Sequence, residues 1–193
     1  MSAVCDQLHR LFNALPRHRF PFDESQIPHN GIYILFEEGE RAHGLDRIVR
    51  VGTHTGVSRL RSRLREHFLR ENKDRSVFRK NIGRALLYKA NDPFLRQWEW
   101  DLTTRKARER WMPFLDVEMQ RAMERAVSEY IQEHCSFVVF GVDDKERRLW
   151  LEKRLISSIS LCQECRPSPD WLGLFSPIRE IRAVSYTHLT LPT

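Results

Sequence analysis

The pattern of apolar and polar residues predicts two strands in the first third of the chain. Residues 31–38 ("GIYILFEE") and 46–52 ("DRIVRVG") have strand length and are rich in branched and aromatic side chains. The intervening segment "GERAHGL" contains two glycines, which suit a hairpin connection. A connection this short predicts that the two strands pair in antiparallel orientation.

A third strand is predicted much later in the chain. Residues 135–142 ("CSFVVFGV") are almost continuously apolar, which is typical of a strand covered on both faces. We therefore predict an α+β fold with a small, mainly antiparallel three-stranded sheet flanked by helices. The segment 135–142 should lie in the middle of that sheet.

Helical spacing of apolar residues marks the segments that should flank the sheet. Four segments show this period: residues 57–71, 76–90, 117–134 and 145–161. A short amphipathic helix also opens the chain and breaks at Pro16, with its apolar face formed by Val4, Leu8, Leu11, Phe12 and Leu15.

These elements suggest one main domain with additions. Residues 1–26 form an N-terminal helix and lead-in, and residues 27–183 form the domain itself. A helical insertion, rich in tryptophan and charge at its start, is expected at about residues 91–134. The last stretch, "VSYTHLTLPT", does not continue the pattern, so we expect residues 184–193 to be a non-native, adaptor-like tail and the natural C-terminus to be missing.

Composition limits the class of protein. The chain has 193 residues, of which 41% are apolar, and this is ordinary for a folded domain. No apolar run approaches the roughly 20 residues that a membrane helix needs. The N-terminus lacks the basic start and apolar block of a secretory signal. We expect a cytosolic, and hence cytoplasmic, protein.

Positive charge is concentrated in one part of the chain. The formal charge is +6, from 32 Lys and Arg against 26 Asp and Glu, and residues 47–84 hold a dense basic block. Such a block fits a surface that faces a polyanion, of which nucleic acid is the commonest. The alternative is a set of ordinary solvated helix faces.

The four cysteines are too few for a disulfide framework in a chain of this size. Cys162 and Cys165 have the C-x-x-C spacing of half a zinc site. A second C-x-x-C or an H-x-x-x-H pair, which would complete the usual pattern, does not accompany them. We interpret the cysteines as ordinary reduced thiols.

The segment 57–71 carries two parallel stripes with a spacing of four residues. One stripe is apolar and should face the sheet: Leu60, Leu64 and Phe68. The neighbouring stripe lies at the edge of that face: Arg59, Arg63 and His67. An arginine and a histidine four residues apart can reach the same small volume, although both could equally be solvated surface residues.

Two further residues stand out against apolar surroundings. Glu152 lies within or beside the apolar stripe of the last long helix, where an ionised carboxylate is costly unless it is paired or binds a metal. Tyr33 lies in the first strand, where a tyrosine is commonly a packing residue. A salt bridge for Glu152 and packing for Tyr33 are the simpler interpretations.

Taken in order, these pieces resemble the GIY-YIG endonuclease superfamily. Gly31-Ile32-Tyr33 matches its first motif, and Arg50-Val51-Gly52 stands where the second motif would be. Arg63 and His67 match the helix pair, and Glu152 matches the metal-binding glutamate. The resemblance covers about residues 27–180 and points to a bacterial branch of the superfamily.

The chain departs from the superfamily pattern at two places. Arg50 replaces the tyrosine of the second motif, and no asparagine follows Glu152. Ser168 and Asp170 are both candidates to stand in for that asparagine. These departures leave catalytic competence open.

The resemblance implies hydrolysis of a DNA phosphodiester with one divalent metal, Mg²⁺ or Mn²⁺, bound by Glu152. It also implies that Tyr33 is the general base and that Arg63 binds phosphate oxygens. Arg50 would provide the positive field that helps a phenol lose its proton, and His67 would take or orient that proton.

Several residues of the basic block are candidate DNA contacts. His54 follows the second strand, next to the expected site, and Arg59 starts the basic stripe. Five more cations could follow the backbone of a DNA duplex without reading its sequence: Lys73, Arg75, Arg79, Lys80 and Arg84.

Two other functions fit the same pattern. One is a nucleic-acid-binding module that keeps the GIY-YIG fold and has lost cleavage. The other is a structural partner in a defence or repair complex, with residues 91–134 as the docking surface for a protein. The sequence leaves open the DNA recognised, the biological role and the oligomeric state.

Overall fold

The computed structural model of the protein describes residues 2–183 and 185–186. The strands are β1 (His18–Arg19), β2 (Gly31–Ala42), β3 (Leu45–Gly52) and β4 (Cys135–Gly141). The helices are α1 (Ser2–Asn13), α2 (Leu60–Phe68), α3 (Val77–Lys89), α4 (Leu95–Trp98), α5 (Arg105–Trp111), α6 (Val117–His134), α7 (Lys145–Ser160) and α8 (Arg179–Ala183). Short 3₁₀ turns occupy Glu24–Gln26, Lys73–Arg75, Met112–Phe114 and Leu172–Phe175.

The strands form an antiparallel sheet in the order β1-β4-β2-β3. The predicted α+β class is confirmed, and so is the inner position of β4, which lies between β1 and β2. The predicted number of strands is wrong, because among the described residues the sheet has four strands and not three. The additional strand, β1, contains only two residues, and a period of two cannot be recognised over so short a segment.

The hairpin of β2 and β3 is longer than predicted. Its strands continue to Ala42 and from Leu45, and only His43 and Gly44 form the turn. Both turn residues have positive φ, 53° and 74°. Such two-residue turns match the right-handed twist of the paired strands, so the hairpin can close tightly.

Helices cover both faces of the sheet. One layer, formed by α2, α3 and α6, packs on the face that carries Tyr33, Leu35 and Val49. The other layer, formed by α1 and α7, packs on the face that carries Ile34 and Val138. Because side chains alternate along a strand, β2 is buried on both sides and contributes to two separate cores.

The helix around the predicted basic stripe is shorter than expected. The apolar period predicts a helix over residues 57–71, whereas α2 spans only Leu60–Phe68. Ser58, before the helix, has a positive φ of 54°, and its amide donates to Oδ1 of Asn30 at 2.7 Å. This contact keeps Ser58 outside helical geometry. The stripe residues Arg63 and His67 nevertheless lie on α2.

The segment 91–134 contributes to the core on the sheet face that carries Tyr33. Trp98 of α4 is buried against Gly83, and its indole N–H donates to the carbonyl of Lys80 at 3.0 Å. Val127 and Ile131 of α6 are buried in the same core. This segment is therefore anchored on α3 and on the sheet.

The described helices include none that is long and apolar enough to span a membrane. The predicted adaptor-like tail, residues 184–193, falls mostly outside the described residues. Of that segment only Ser185 and Tyr186 are described, and the amide of Tyr186 donates to the carbonyl of Val49 at 2.9 Å. The interpretation of the tail as non-native stays a prediction.

Candidate active site

A chain of hydrogen bonds connects β2 to the start of α3. The hydroxyl oxygen of Tyr33 lies 2.7 Å from Nε2 of His67, and Nδ1 of His67 lies 2.7 Å from Oγ of Ser76. Ser76 caps α3, and its Oγ also accepts the amide of Arg79 at 3.1 Å. The phenol and the imidazole are fully buried, so their orientation is set by this chain of contacts.

Arg50 occupies the position next to the phenol. Its Nε donates to the hydroxyl oxygen of Tyr33 at 3.2 Å. Tyr33 pairs with Gly52, and Arg50 pairs with Leu35, so Tyr33 and Arg50 are diagonal neighbours on the same face of the hairpin. A Cβ atom on Gly52 would lie 2.2 Å from the hydroxyl oxygen of Tyr33, and glycine is therefore required there.

His67 is neutral in this environment. Burial is the main cause that lowers the pKa of His67 well below its ordinary value. Nearby positive charges lower it further: Arg63, Arg50 and Arg79. Because the N–H of Arg50 already points at the oxygen of Tyr33, we infer that the Tyr33 hydroxyl donates to Nε2 and that Nδ1–H donates to Ser76.

Glu152 belongs to the opposite helical layer and still reaches the end of β3. Its Oε1 accepts the amide of Thr53 at 3.0 Å, and Thr53 directly follows β3. Among the described strands β3 is at the edge of the sheet, so the carboxylate can reach around it. Burial raises the pKa of Glu152, and the charge of Arg50, the Thr53 amide and the charge of Arg63 oppose that rise.

Arg63 lies beside an open cleft of about 630 Å³. Its Nη1 donates to Oε2 of Glu66 at 3.1 Å and to the carbonyl of Arg75 at 2.9 Å. The cleft is lined by residues that include Thr53, His54, Arg59, Arg63 and Arg75. Its wall therefore carries several positive charges, and it includes Thr53, whose amide binds Glu152.

The predicted site residues are thus brought together to different degrees. Tyr33, Arg50 and His67 are in direct contact. Arg50 and Arg63 influence both His67 and Glu152 by their charge. Glu152 lies on α7, in the helical layer opposite the face that carries Tyr33, and reaches the end of β3 through the Thr53 amide.

The imidazole of His54 is used within the fold. Its Nδ1 lies 2.7 Å from the carbonyl of Gly56, and its Nε2 accepts the amide of Gly31 at 3.3 Å. Burial lowers the pKa of His54, which keeps the ring neutral. These contacts indicate that His54 shapes the loop between β3 and α2, and a contact with DNA through it stays a prediction.

Two of the predicted DNA contacts are wrong, because the side chains are buried. Nζ of Lys73 donates to Oδ1 of Asp74 at 2.9 Å and to the carbonyl of Trp100 at 2.6 Å. Arg79 is fully buried and pairs with Glu124, with Nη2 and Oε2 2.8 Å apart. Neither side chain can reach a phosphate without breaking these contacts.

The other predicted contacts differ in exposure. Lys80 and Arg84 are partly buried and both interact with Glu99, whose Oε2 lies 2.6 Å from Nη2 of Arg84 and 3.8 Å from Nζ of Lys80. Arg59 and Arg75 are exposed and line the cleft. Arg59 and Arg75 are therefore the cations of the predicted set that are best placed for a phosphate backbone.

Neither candidate for the missing asparagine has a clear place in the site. Ser168 donates its hydroxyl to Oε1 of Glu40, and Oε2 of Glu40 accepts Nε of Arg47 at 2.7 Å. Asp170 is exposed. Ser168 thus belongs to a separate buried ion-pair network.

Sequence reasoning missed two supporting residues. Ser76 could have been recognised as a helix cap, since it stands directly before an apolar helical period. The backbone amide of Thr53 leaves no signal in the sequence, because any residue except proline supplies one.

The arrangement of motifs agrees with a comparison against protein families. The chain matches the family model described as the GIY-YIG domain over residues 6–186. No curated protein and no solved structure shows significant similarity to it. The match covers nearly the whole chain and includes each of the five residues predicted for catalysis. The protein therefore belongs to the GIY-YIG family, whose domains have a nuclease-type fold and act on nucleic acid.

Proposed function

We propose that the protein is a metal-dependent DNA endonuclease that hydrolyses phosphodiester bonds. The observation that carries this proposal is the buried chain from Arg50 through Tyr33 to His67, whose Arg50 also acts by its charge on the carboxylate of Glu152. A phenol with a cation on one side and a neutral imidazole on the other is arranged for proton transfer, and a packing residue would need neither contact.

The surroundings of Glu152 fit a divalent metal. Among the described residues no lysine or arginine forms an ion pair with this carboxylate, and its hydrogen bond to the Thr53 amide uses Oε1. A half-buried carboxylate that lacks an ion-pair partner carries a desolvation cost, and a hard cation would offset that cost. Mg²⁺ or Mn²⁺, bound by Glu152, would polarise the phosphate and stabilise the leaving oxygen.

Tyr33 and His67 would manage the proton of the attacking water. Tyr33 can accept that proton only after losing its own, and Nε2 of His67 is the acceptor 2.7 Å away. Of the positive charges that lower the pKa of His67, Arg63 lines the cleft where a DNA phosphate would bind. A phosphate bound there would partly cancel that charge, so substrate binding should itself favour the transfer from Tyr33 to His67.

Arg63 would hold the phosphate. Its hydrogen bonds to Glu66 and to the carbonyl of Arg75 use Nη1, so Nε and Nη2 can face the cleft and a phosphate oxygen. A guanidinium is permanently charged and presents its donors as a planar fork, which suits both the ground state and the more charged transition state.

A binding module without cleavage is the second candidate. Two observations favour it: Arg50 stands where the second motif has a tyrosine, and Tyr33 has no exposed surface. Water would then have no direct route to the phenol. Both candidates require DNA binding, and they differ in whether a strand is cut.

Plasmid nicking with Mg²⁺ or Mn²⁺ separates the two. The endonuclease should convert supercoiled DNA to open circles, and Glu152→Ala should abolish this while DNA affinity persists or rises, because one negative charge has left the site. Arg63→Ala should weaken both binding and cleavage. Glu129→Ala, at an exposed position of α6, is the matched control and should behave like the parent protein.

The opposite result would be equally clear. DNA binding without nicking under either metal would favour the binding module. A Glu152→Ala protein that melts earlier and loses binding and cleavage in proportion would show that the carboxylate supports the fold and has no catalytic role.

A further inference from the structure

A second cluster of reactive side chains lies on the sheet face opposite Tyr33. Cys5 and His9 are one turn apart on α1, His43 is in the turn of the hairpin, and Cys165 follows α7. Their ligand atoms all lie within 4.8 Å of one another. Cys5 and His9 are fully buried, and the Cys165 residue is 2% exposed. The nuclease site uses none of these side chains.

The donor atoms lie close enough together to surround one metal ion. Sγ of Cys165 lies 3.2 Å from Sγ of Cys5, 3.3 Å from Nε2 of His43 and 3.8 Å from Nε2 of His9. Zinc bonds of about 2.3 Å to sulfur and 2.0–2.1 Å to nitrogen place the ligand atoms of a tetrahedral site about 3.3–3.8 Å apart. The two sulfur–nitrogen distances, 3.3 and 3.8 Å, fall in this range. The two sulfurs, 3.2 Å apart, would separate to about 3.8 Å around a bound ion.

Neighbouring groups orient both imidazoles toward the centre of the cluster. Nδ1 of His9 lies 2.9 Å from the carbonyl oxygen of Cys5, and Nδ1 of His43 lies 3.2 Å from Oε2 of Glu164. Histidine ligands of metals characteristically donate their second N–H to such a carbonyl or carboxylate. Nε2 of each ring is then free to bind a metal. The amide of Ile48, 3.3 Å from Nε2 of His9, is a weak competing donor.

We propose that Cys5, His9, His43 and Cys165 bind one Zn²⁺ ion in a closed structural site. Two thiolates and two imidazoles form a complete ligand set for zinc and leave no open position for a substrate. The two thiolate charges balance the charge of Zn²⁺, so the loaded site is neutral. The ion would join α1, the β2–β3 turn and the segment after α7. This site goes beyond the proposed nuclease function, whose hard cation would be held by a carboxylate elsewhere in the fold.

Two alternatives to this site are a disulfide between Cys5 and Cys165 and a ligand set that includes Cys162. In a disulfide, the sulfurs of Cys5 and Cys165 would be about 2.05 Å apart, which is much shorter than the 3.2 Å found. Cys162 is a further thiol nearby, with its Sγ 3.5 Å from Nε2 of His43. It lies outside the closest set of four and is expected to be dispensable.

The test is metal analysis of the full chain, purified without chelator or added metal. We expect close to one zinc per chain, lost in Cys5→Ser and Cys165→Ser and retained in Cys162→Ser. Cys135→Ser is the matched control, since Cys135 is a buried free thiol on β4 outside the cluster. Thermal melting should show a lower Tm after zinc removal in the parent protein and in Cys135→Ser.

Cobalt substitution makes the test independent of how the variants fold. Co²⁺ bound to the parent protein should show the visible bands of a tetrahedral site together with thiolate charge-transfer absorption. Absence of zinc and of these bands in a folded parent protein would overturn the proposal. So would a mass lower by two hydrogens, which marks a disulfide, or retention of zinc in Cys165→Ser with loss in Cys162→Ser.

Discussion

The hydroxyl oxygen of Tyr33 lies 2.7 Å from Nε2 of His67, although the two residues are 34 positions apart and belong to different layers of the fold. The contact is buried, and it is continued on one side by Arg50 and on the other by Ser76. Tyr33 belongs to the first motif of the family. The contact gives its hydroxyl group a buried imidazole as a hydrogen-bond acceptor.

Replacing Tyr33 with phenylalanine should remove cleavage with little effect on DNA affinity. We expect nicking to fall by about 10²–10⁴-fold, which is typical for loss of general acid–base catalysis. The variant leaves the N–H of Arg50 and Nε2 of His67 without their shared partner, at a cost of about 1–3 kcal/mol in the free energy of unfolding. Nicking rates, DNA affinity and Tm should be measured together. Tyr88→Phe, at an exposed position, is the control, and an active Tyr33→Phe protein would refute the assignment.

Replacing Glu152 with glutamine should raise Tm at neutral pH. Burial raises the pKa of Glu152, so the folded state binds the proton more tightly than the unfolded state. The stabilisation from this carboxyl is fully present below its unfolded pKa and is lost as pH rises through its folded pKa. Glutamine keeps an acceptor for the Thr53 amide and avoids burying the charge.

Melting curves without added Mg²⁺, taken from neutral pH to below the ordinary glutamate pKa of about 4.3, would check this. The advantage of Glu152→Gln should disappear at the acidic end. In a domain of this size each kcal/mol shifts Tm by about 2–4 °C, so a modest effect can be resolved. A lower Tm for Glu152→Gln at neutral pH would mean that the carboxylate has a structural ion pair. Glu129→Gln should change nothing.

Replacing Ser76 with alanine should reduce cleavage through His67. The variant removes both the cap of α3 and the partner of Nδ1, and removal of a cap costs about 0.5–2 kcal/mol. Thr104→Ala removes the cap of α5, a short helix without buried residues that supplies none of the predicted catalytic residues, and serves as the matched control. We expect both variants to fold and only Ser76→Ala to have a lower nicking rate and an altered pH profile. Equal nicking rates would show that Ser76 is only a cap.

Replacing Arg75 and replacing Arg79 should have different effects, although both residues belong to the same basic block. Arg75 is exposed at the cleft, so Arg75→Ala should lower DNA affinity and reduce the slope of log affinity against log salt by about 0.9 for each phosphate that the side chain neutralises. Arg79→Ala should instead lower stability by about 3–5 kcal/mol, because it leaves Glu124 buried without its partner. Salt titrations and melting curves distinguish the two effects. Weaker DNA binding by a stable Arg79→Ala protein would contradict the buried ion pair.

The strands and helices with long apolar patterns can be predicted from the sequence. β4 is predictable as an inner strand because its residues are apolar on both faces, and α6 begins and ends where its period does. Four residues of the candidate site can be selected from the sequence because each matches a family motif: Tyr33, Arg63, His67 and Glu152. The length of α2 is not predictable, since it depends on the contact between Ser58 and Asn30, which lie on different segments.

Burial of a charged side chain was not predictable either, because it depends on a partner that is distant in sequence. Arg79 looks like a surface cation in its helix, and only the fold brings Glu124 to it from 45 residues away. The proposed zinc site is similar. Its ligands come from α1, a turn and the segment after α7, so the C-x-x-C pattern includes only one of them.

The inner pairing of β2 with β4 has a consequence for how the molecule folds. Ile34 lies opposite Val138, so the middle of the sheet joins segments more than half the chain apart. The β2–β3 hairpin can close early, because it needs only a two-residue turn, and it already places Tyr33 beside Arg50. Closing the much longer loop to β4 is slow and costs more chain entropy. α7 follows β4, so we expect Glu152 to be the last member of the candidate site to be positioned during folding, and a partly folded chain would contain the phenol and its arginine without the carboxylate.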